Sequence, residues 1–288
     1  MPEREYVAPS VVVGVDGSRW AIEAACWAVD EAIRRDIPLR LVYALDPREG
    51  GTADAGALAR RFAAAQTAVR CAAAAIESTD EPVKIEAEIV HQSPVPALLE
   101  ASGGAALLCV GAIGLNHFRD GHVGSTATAL AAGAHCPVAV VRGHDPVPSA
   151  QRWVAVELDG STGDAVLRHG FDEARSRRAP LRVLTIWRSR YPDIHDDHAV
   201  AAGNRDAKAA LERRLKCWRS NYPEVNVSTA AVHGNSLSYL MAQGNSIQLL
   251  VVAHERGEGI GELLGAAGNA VLQRADCSVL ICEPQNRL

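Results

Sequence analysis

An internal repeat is the sequence feature that most restricts how this chain can fold. The matching segments are residues 16–18 and 159–161, residues 38–42 and 180–184, and residues 107–110 and 249–252. Their separation stays close to 142 positions along the whole chain, which indicates two tandem copies of one domain. A polar stretch that contains Pro146 and Pro148 divides the copies. We therefore place the domains at residues 1–146 and 150–288.

Short apolar runs alternate with amphipathic or alanine-rich segments inside each copy. In the first copy the predicted strands are residues 10–15, 39–45, 83–90, 107–110 and 138–141, and the predicted helices include residues 21–35 and 58–76. Ser93 followed by Pro94 is typical of a helix N-cap. Strands that alternate with helices imply parallel βαβ units with right-handed crossovers. The sequence therefore predicts an α/β fold of two tandem open five-stranded parallel sheets, with helices on both faces in a Rossmann-like arrangement.

A glycine-rich segment follows the fourth predicted strand of the first copy. Gly111 and Gly114 come directly after the strand, and Gly124, Ser125 and Thr126 precede an alanine-rich segment that favours a helix. A helix N-terminus exposes amide groups and a partial positive charge, and glycines allow the backbone to approach an anion closely. The pattern predicts an anion-binding strand-to-helix turn, with an ordinary glycine-rich turn as the alternative.

Residues at the ends of two other predicted strands belong to the same edge of the sheet. Asp16 follows the first strand, and Ala44 ends the second. In open parallel sheets, ligands bind beyond the carboxyl ends of the strands where the strand order reverses, so we expect Asp16, Ala44 and Gly111 to rim one crevice. Ser18 has two possible roles: it can face a ligand in this crevice or serve as the N-cap of the following helix.

The spacing of the three glycines and the serine that follows them resembles the ATP-binding motif of the universal stress protein family, and the resemblance covers both copies. It implies the universal stress protein fold, ATP as ligand with Mg²⁺ as an accompanying ion, and a regulatory role in stress response or dormancy. It also implies that Asp16 contacts adenosine, that the backbone near Val42 and Ala44 contacts adenine, and that the glycine motif holds ribose and phosphates. The predicted contacts are Asp16, Gly17, Ser18, Val42, Ala44, Gly111, Gly114, Gly124, Ser125 and Thr126, with no catalytic and no metal-binding residue.

The second copy departs from this motif. The substituted positions are Ala253, Arg256, Ala266 and Ala267, which replace the first two glycines and the two hydroxyl residues. Gly265 keeps the third glycine, while Glu255 and Glu258 add negative charge to the loop. We expect a degenerate nucleotide motif in the second domain and a site mainly in the first. Arg256 and Asp159 leave a weaker or altered second site open.

Composition narrows the classes of partner. A net charge of −5 without a basic tract argues against a nucleic-acid backbone as partner. No apolar run approaches the roughly 18 residues of a membrane span, so no membrane partner is expected. The seven scattered cysteines contain no C-x2-C pair, which indicates reduced thiols in a cytoplasmic protein.

The motifs favour a binding protein over an enzyme. The glycine-rich turn lacks the lysine of a Walker motif, and no local motif marks a Ser-His-Asp or Cys-His set, so we expect at most slow ATP hydrolysis. Two alternatives remain: a nucleotide-dependent enzyme of the related α/β group, and a protein-interaction scaffold with vestigial sites. The implied partners are ATP or a related adenine nucleotide, a regulatory protein, and a second copy of the chain in a homodimer.

Overall fold

The computed structural model describes residues 8–48, 55–114, 123–143, 152–158, 163–188, 197–254 and 260–282. The chain divides into two compact units, Met1–His144 and Asp145–Leu288. Each is an α/β unit in which helices connect parallel strands, as the alternating sequence pattern predicts. None of the helices among these residues is long and apolar enough to cross a membrane.

The first unit is built on a five-stranded parallel sheet in the order β3-β2-β1-β4-β5. Its strands are β1 (Ser10–Gly14), β2 (Leu39–Ala44), β3 (Ile85–Val90), β4 (Ala105–Gly111) and β5 (Val138–Val141). In the central strand, Val11, Val12 and Val13 have no exposed surface. A continuous apolar run of this kind is needed because helices cover both faces of a parallel sheet.

Among the described residues of the first unit, four helices cover the sheet. They are α1 (Arg19–Arg35), α2 (Ala55–Glu77), α3 (Pro94–Ser102) and α4 (Ser125–Gly133). Helix α1 packs against α2, and α3 packs against α4. Helices α1 and α2 connect β1 to β2 and β2 to β3, whereas α3 and α4 connect β3 to β4 and β4 to β5. The two sets of connections run in opposite directions across the sheet, so right-handed crossovers place the two pairs of helices on opposite faces.

The second unit repeats this architecture in the order β8-β7-β6-β9-β10. Its strands are β6 (Trp153–Leu158), β7 (Leu181–Trp187), β8 (Val227–His233), β9 (Ile247–Ala253) and β10 (Ser278–Cys282). Its helices are α5 (Asp164–Ser176), α6 (Asp197–Asn221), α7 (Ser236–Gln243), α8 (Ile260–Leu264) and α9 (Ala266–Ala275), with a 3-10 turn at Gly244–Ser246. Both units are therefore open parallel α/β sheets with five strands each.

Candidate functional site

The strand order of the first unit reverses between β1 and β4, which lie side by side. Strand β1 ends at Gly14, opposite Val42, whereas β2 continues to Ala44 and stays paired with β3. The last residues of β2 therefore have a neighbouring strand on one side only, and their other backbone edge faces a crevice at the carboxyl end of the sheet. This is the position where open parallel sheets bind ligands.

A cavity of about 480 Å³ occupies this crevice. The sequence-predicted contacts that line it are Asp16, Ser18, Val42, Ala44, Gly111, Gly114, Gly124, Ser125 and Thr126. The fold thus gathers residues at or just after the carboxyl ends of three different strands together with the start of one helix. Gly17, the tenth predicted contact, has a φ of +86°, and a Cβ there would lie 3.2 Å from Ala68 on α2. The turn and its packing require glycine at that position.

Asp16 and Ser18 shape the turn that leads from β1 into α1. Oδ1 of Asp16 accepts a hydrogen bond from the backbone N–H of Ser18 at 2.8 Å. Oγ of Ser18 in turn accepts from the N–H of Ala21 at 3.1 Å, which makes Ser18 the N-cap of α1. Both side chains line the cavity while they fix the local backbone.

Gly111 lines the cavity, but packing excludes a side chain there. A Cβ on Gly111 would lie 2.7 Å from the backbone carbonyl carbon of Trp20 and 2.8 Å from its carbonyl oxygen. Those atoms belong to the first turn of α1, so they cannot move without displacing the helix. Glycine at this position allows α1 to approach the end of β4, with or without a ligand.

Gly114 and Gly124 have a different environment. A Cβ on Gly114 would lie 3.1 Å from Oδ2 of Asp16, so the carboxylate lies directly against this turn. A Cβ on Gly124 would make only ordinary contacts, 3.6 Å from the backbone nitrogen of Gly114 and 3.7 Å from the carbonyl oxygen of Ala112. The surrounding protein can therefore accept a side chain at Gly124, which would take up space at the cavity wall.

Helix α4 begins at the cavity. Gly124 is its N-cap residue: the N–H of Gly124 donates to the carbonyl of Ala112 at 2.9 Å, and its carbonyl accepts from the N–H of Thr128 at 3.0 Å. The first-turn residues 125–127 line the cavity. Because the first amide groups of a helix have no intrahelical acceptors, this end offers N–H donors and a partial positive charge.

The opposite end of the cavity is formed by the start of α3 and the loop after β2. Pro94 and Pro96 lie in the first turn of α3 and remove two of the amide donors that a helix N-terminus normally presents. Together with Val95 and Leu98, they make this wall largely apolar. The two ends of the cavity therefore differ in chemistry, with amide donors at α4 and apolar surface at α3.

Three polar residues at the apolar end were not predicted as contacts: Asp46, Arg48 and Ser93. Nη2 of Arg48 donates to Oγ of Ser93 at 2.6 Å, and the backbone N–H of Arg48 donates to Oδ1 of Asp46 at 2.9 Å. The backbone hydrogen bond from Arg48, followed by one from the Ser93 hydroxyl, holds the pKa of the Asp46 carboxyl below its ordinary value. The sequence could have indicated Asp46 and Arg48 by their position alone, since both follow within four residues of Ala44, the end of β2.

The corresponding region of the second unit is built differently. Helix α9 has Gly265 as its N-cap, but α8 ends only one residue earlier, at Leu264. A Cβ on Gly265 would lie 2.7 Å from the carbonyl oxygen of Gly261, and one on Gly268 would lie 2.2 Å from that of Leu263. Carbonyl oxygens of α8 therefore crowd the first turn of α9.

Other positions of the second unit also differ from those that line the first cavity. Ala266 and Ala267 form the first turn of α9 without hydroxyl groups. The counterpart of Gly14 in the second sheet is Glu157, whose residue surface is only 8% exposed. Asp159, which matches Asp16, lies outside the described residues, as do the predicted differences at Glu255, Arg256 and Glu258.

Comparison with known proteins identifies the family. The sequence profile of the universal stress protein family matches residues 9–142 and 153–283. A universal stress protein of Mycobacterium tuberculosis is 49% identical over 284 residues, which cover 98% of this chain and 99% of that protein. A second one from the same organism is 43% identical over 252 residues, which cover 86% of this chain and 91% of that protein.

A solved structure agrees on the fold. The crystal structure of a universal stress protein from Archaeoglobus fulgidus aligns with a TM-score of 0.72 at 15% identity, covering 97% of each chain. The two profile matches fall one in each unit of the structure. The chain belongs to the universal stress protein family and carries two tandem domains of it.

Proposed function

We propose that the first unit binds an adenine nucleotide, ATP with Mg²⁺, and that the protein is a nucleotide-controlled regulator in stress response or dormancy. The observation that carries the proposal is the cavity of about 480 Å³ at the reversal of strand order. It gathers nine of the ten residues that the family resemblance assigned to ATP. A cavity of this size lies within the range typical of small-molecule sites.

The chemical difference between the two ends of the cavity supports one orientation of the ligand. The phosphates lie at the α4 end, where Gly124 caps the helix and Ser125 and Thr126 supply amide and hydroxyl donors. The base lies at the α3 end against Pro94 and Val95, beside Ala44 at the end of β2. Asp16, which faces Gly114 at the glycine turn, is placed to accept hydrogen bonds from ribose hydroxyl groups.

Mg²⁺ enters the proposal as a companion of the triphosphate. Among the described residues, no group of three His, Cys, Asp or Glu side chains is arranged to hold a metal ion. A Mg²⁺ ion commonly keeps several waters and takes the rest of its ligands from one or two carboxylates and the phosphates. Asp16 is the carboxylate that lines the glycine end of the cavity, so we assign any direct protein contact to it.

A regulatory role also implies a protein partner that distinguishes the occupied from the empty site, and we propose a homodimer as the assembly. Slow ATP hydrolysis is compatible with this role, since the sequence has no Walker lysine to stabilise a transferring phosphoryl group. No disulfide joins the seven cysteines, all of which the structure describes. That arrangement suits the cytoplasm, where thiols stay reduced.

The test of the proposed function is Gly124→Val, measured by isothermal titration calorimetry with Mg-ATP. Because a Cβ at Gly124 meets only ordinary contacts, the variant should fold while its methyl groups take up space at the phosphate end. We expect affinity to fall at least tenfold, about 1.4 kcal/mol. Gly261→Val is the matched control, since a Cβ there would meet no atom of the described residues within 4 Å.

Near-ultraviolet circular dichroism should show the same folded signal for wild type and both variants. Equal ATP affinity in wild type and Gly124→Val would contradict the proposed site. Absence of ATP binding by the wild-type chain would contradict the proposed function itself.

A further inference from the structure

We propose that Asp46 is a specificity-determining residue of the nucleotide site, and that its carboxylate selects purines with a 6-amino group over purines with a 6-carbonyl group. This inference rests on the proposed function and concerns the apolar end of the cavity. The proposed function assumes a preference for adenine, and Asp46 would be the physical cause of that preference.

The position of Asp46 puts a carboxylate at the base end of the cavity. Asp46 comes two residues after Ala44, the last residue of β2, and it lines the cavity together with Ser93 and the prolines of α3. Asp16 faces Gly114 at the glycine turn instead. The Asp46 carboxylate lies 3.5 Å from Nε of Arg48, which also lines the cavity. Carboxylate oxygens accept hydrogen bonds, so they favour a ligand group that donates them.

The Asp46 carboxylate is fixed from several directions. The backbone N–H of Arg48 donates to its Oδ1 at 2.9 Å, and Ser93 holds the Arg48 guanidinium at 2.6 Å. Arg61 of α2 donates to the backbone carbonyl of Asp46. The carboxyl is ionised at neutral pH, as an ordinary Asp carboxyl is, and the hydrogen bonds from Arg48 and Ser93 lower its pKa further, so it offers acceptors and no donor. A fixed acceptor discriminates better than a mobile one, since its geometry cannot adapt to a mismatched ligand.

The chemistry of the purine then decides the preference. The 6-amino group of adenine donates hydrogen bonds, whereas the 6-carbonyl group of hypoxanthine or guanine accepts them. Two acceptors that face one another in a partly buried site repel and leave each other unsatisfied. Arg48 is less suited to read the base, because its side chain is 80% exposed while that of Asp46 is only 19% exposed.

The second unit indicates that the fold does not need this group of side chains. The sequence repeat places Arg188 at the position of Asp46 and Asn235 at that of Ser93. Asn235 caps α7 by accepting from the N–H of Ser238 at 3.3 Å, a role that Ser93 does not have in α3. The same strand-to-helix architecture therefore forms with a side chain of opposite charge at this position, so the fold does not demand a carboxylate there.

The experiment compares ATP with inosine triphosphate, which carries a carbonyl in place of the 6-amino group. Calorimetry is run on full-length wild type, on Asp46→Asn, and on Asp80→Asn as a control for the same chemical change at an exposed loop position of the first unit. We expect wild type and Asp80→Asn to prefer ATP at least tenfold. In Asp46→Asn the ratio should fall to within about threefold of one, since an amide presents either a donor or an acceptor.

An ATP preference that stays within twofold of wild type in Asp46→Asn would overturn the assignment, and so would a wild-type protein that binds both nucleotides equally. In either case ATP binding itself, and with it the proposed function, would survive. Failure of the wild-type chain to bind either nucleotide would overturn both. Thermal melting of each variant checks that a change in the ratio does not come from unfolding.

Discussion

The first turns of α4 and α9 occupy equivalent places in the two units, but only the first turn of α4 lines a cavity, whereas that of α9 packs against another helix. In the first unit the turn that follows Gly124 opens onto a cavity and offers amide and hydroxyl groups. In the second unit the turn that follows Gly265 is crowded by carbonyl oxygens of α8, those of Gly261 and Leu263. A partial positive charge at a helix N-terminus attracts anions only if they can reach it, so one turn can serve phosphate and the other is occupied by the protein itself.

The comparison shows that the fold and the ligand chemistry are separable within one chain. Both sheets have the same order and the same parallel pairing, so apolar strands and crossovers suffice to form the architecture. The differences lie at a few positions around one edge, such as Gly14 and Glu157, or Ser125 and Ala266. Membership of the family therefore predicts the fold of both units, whereas a nucleotide site must be argued for each unit from its own residues.

The largest expected difference between the units is in nucleotide affinity. Removing two hydroxyl donors, in the double variant of Ser125→Ala and Thr126→Ala, should weaken ATP binding by roughly a hundredfold or more, since each hydrogen bond to a charged group contributes about 1.5–3 kcal/mol. Adding the same groups to α9, through Ala266→Ser and Ala267→Thr, should create no second site. The carbonyl oxygens of α8 still crowd that turn. Calorimetric stoichiometry is the measurement, with one ATP per chain expected for wild type.

Two results would contradict the expected difference in nucleotide affinity between the units. Wild type could bind two ATP molecules with indistinguishable affinity, which would mean that Arg256 rebuilds an anion site in the second unit. Alternatively, the α9 variant could gain a second site, which would mean that hydroxyl groups alone distinguish the units. Either result would remove α8 as the physical reason for the difference.

The next difference concerns stability at the ends of β4 and β9. Gly111→Ala should lower the free energy of unfolding by about 1–3 kcal/mol, as overpacking of a tight contact does, because the new Cβ would lie 2.7 Å from the Trp20 backbone. The second unit already has Ala253 at the equivalent position. Ala253→Gly should cost no more than about 1 kcal/mol, the conformational penalty of glycine in a strand. Urea unfolding followed by tryptophan fluorescence measures both.

A second substitution sharpens this test. The closest atoms at Trp20 are its backbone carbonyl and its Cβ, which remain when the ring is removed. Adding Trp20→Ala to Gly111→Ala should therefore fail to restore stability. Rescue by the double variant would show that the indole, rather than the backbone of α1, excludes a side chain at Gly111.

The sequence predicted well those features that depend on residues close together in the chain. Apolar runs marked the strands, and the repeat marked two copies of the same α/β architecture. Ser18 takes the N-cap position that its local pattern allowed. Periodicity and capping are local properties, so one sequence is enough to recognise them.

The sequence could not reveal contacts between residues far apart in the chain. The sequence indicates Gly111 as part of a ligand-binding motif. Only the structure shows that the backbone of Trp20 leaves no space for a side chain at that position. The link between Arg48 and Ser93 depends on how β2 and α3 meet in space. The crowding of Gly265 likewise depends on α8, a helix in a segment that the sequence indicates only as a loop.

The smallest expected difference concerns the N-caps of α3 and α7. Asn235→Ala should destabilise the protein by about 0.5–1 kcal/mol, because it removes the hydrogen bond to the N–H of Ser238. Ser93→Ala should cost less than about half of that. The Ser93 hydroxyl makes no cap hydrogen bond, although its carbonyl accepts from the N–H of Ala97 at 3.1 Å. Thermal melting of the two variants under identical conditions measures the difference.

The physical reason for this small effect lies in the prolines of α3. Pro94 and Pro96 have no N–H, so a capping hydroxyl at Ser93 has fewer donors to satisfy than Asn235 has at α7. The hydroxyl instead accepts from Arg48, whose backbone holds Asp46. Ser93→Ala should therefore leave stability nearly unchanged but reduce the preference for ATP over inosine triphosphate. If Ser93→Ala and Asn235→Ala lose equal stability and the nucleotide preference does not change, the prediction is contradicted. Ser93 would then act only as a helix N-cap, as Asn235 does in the second unit.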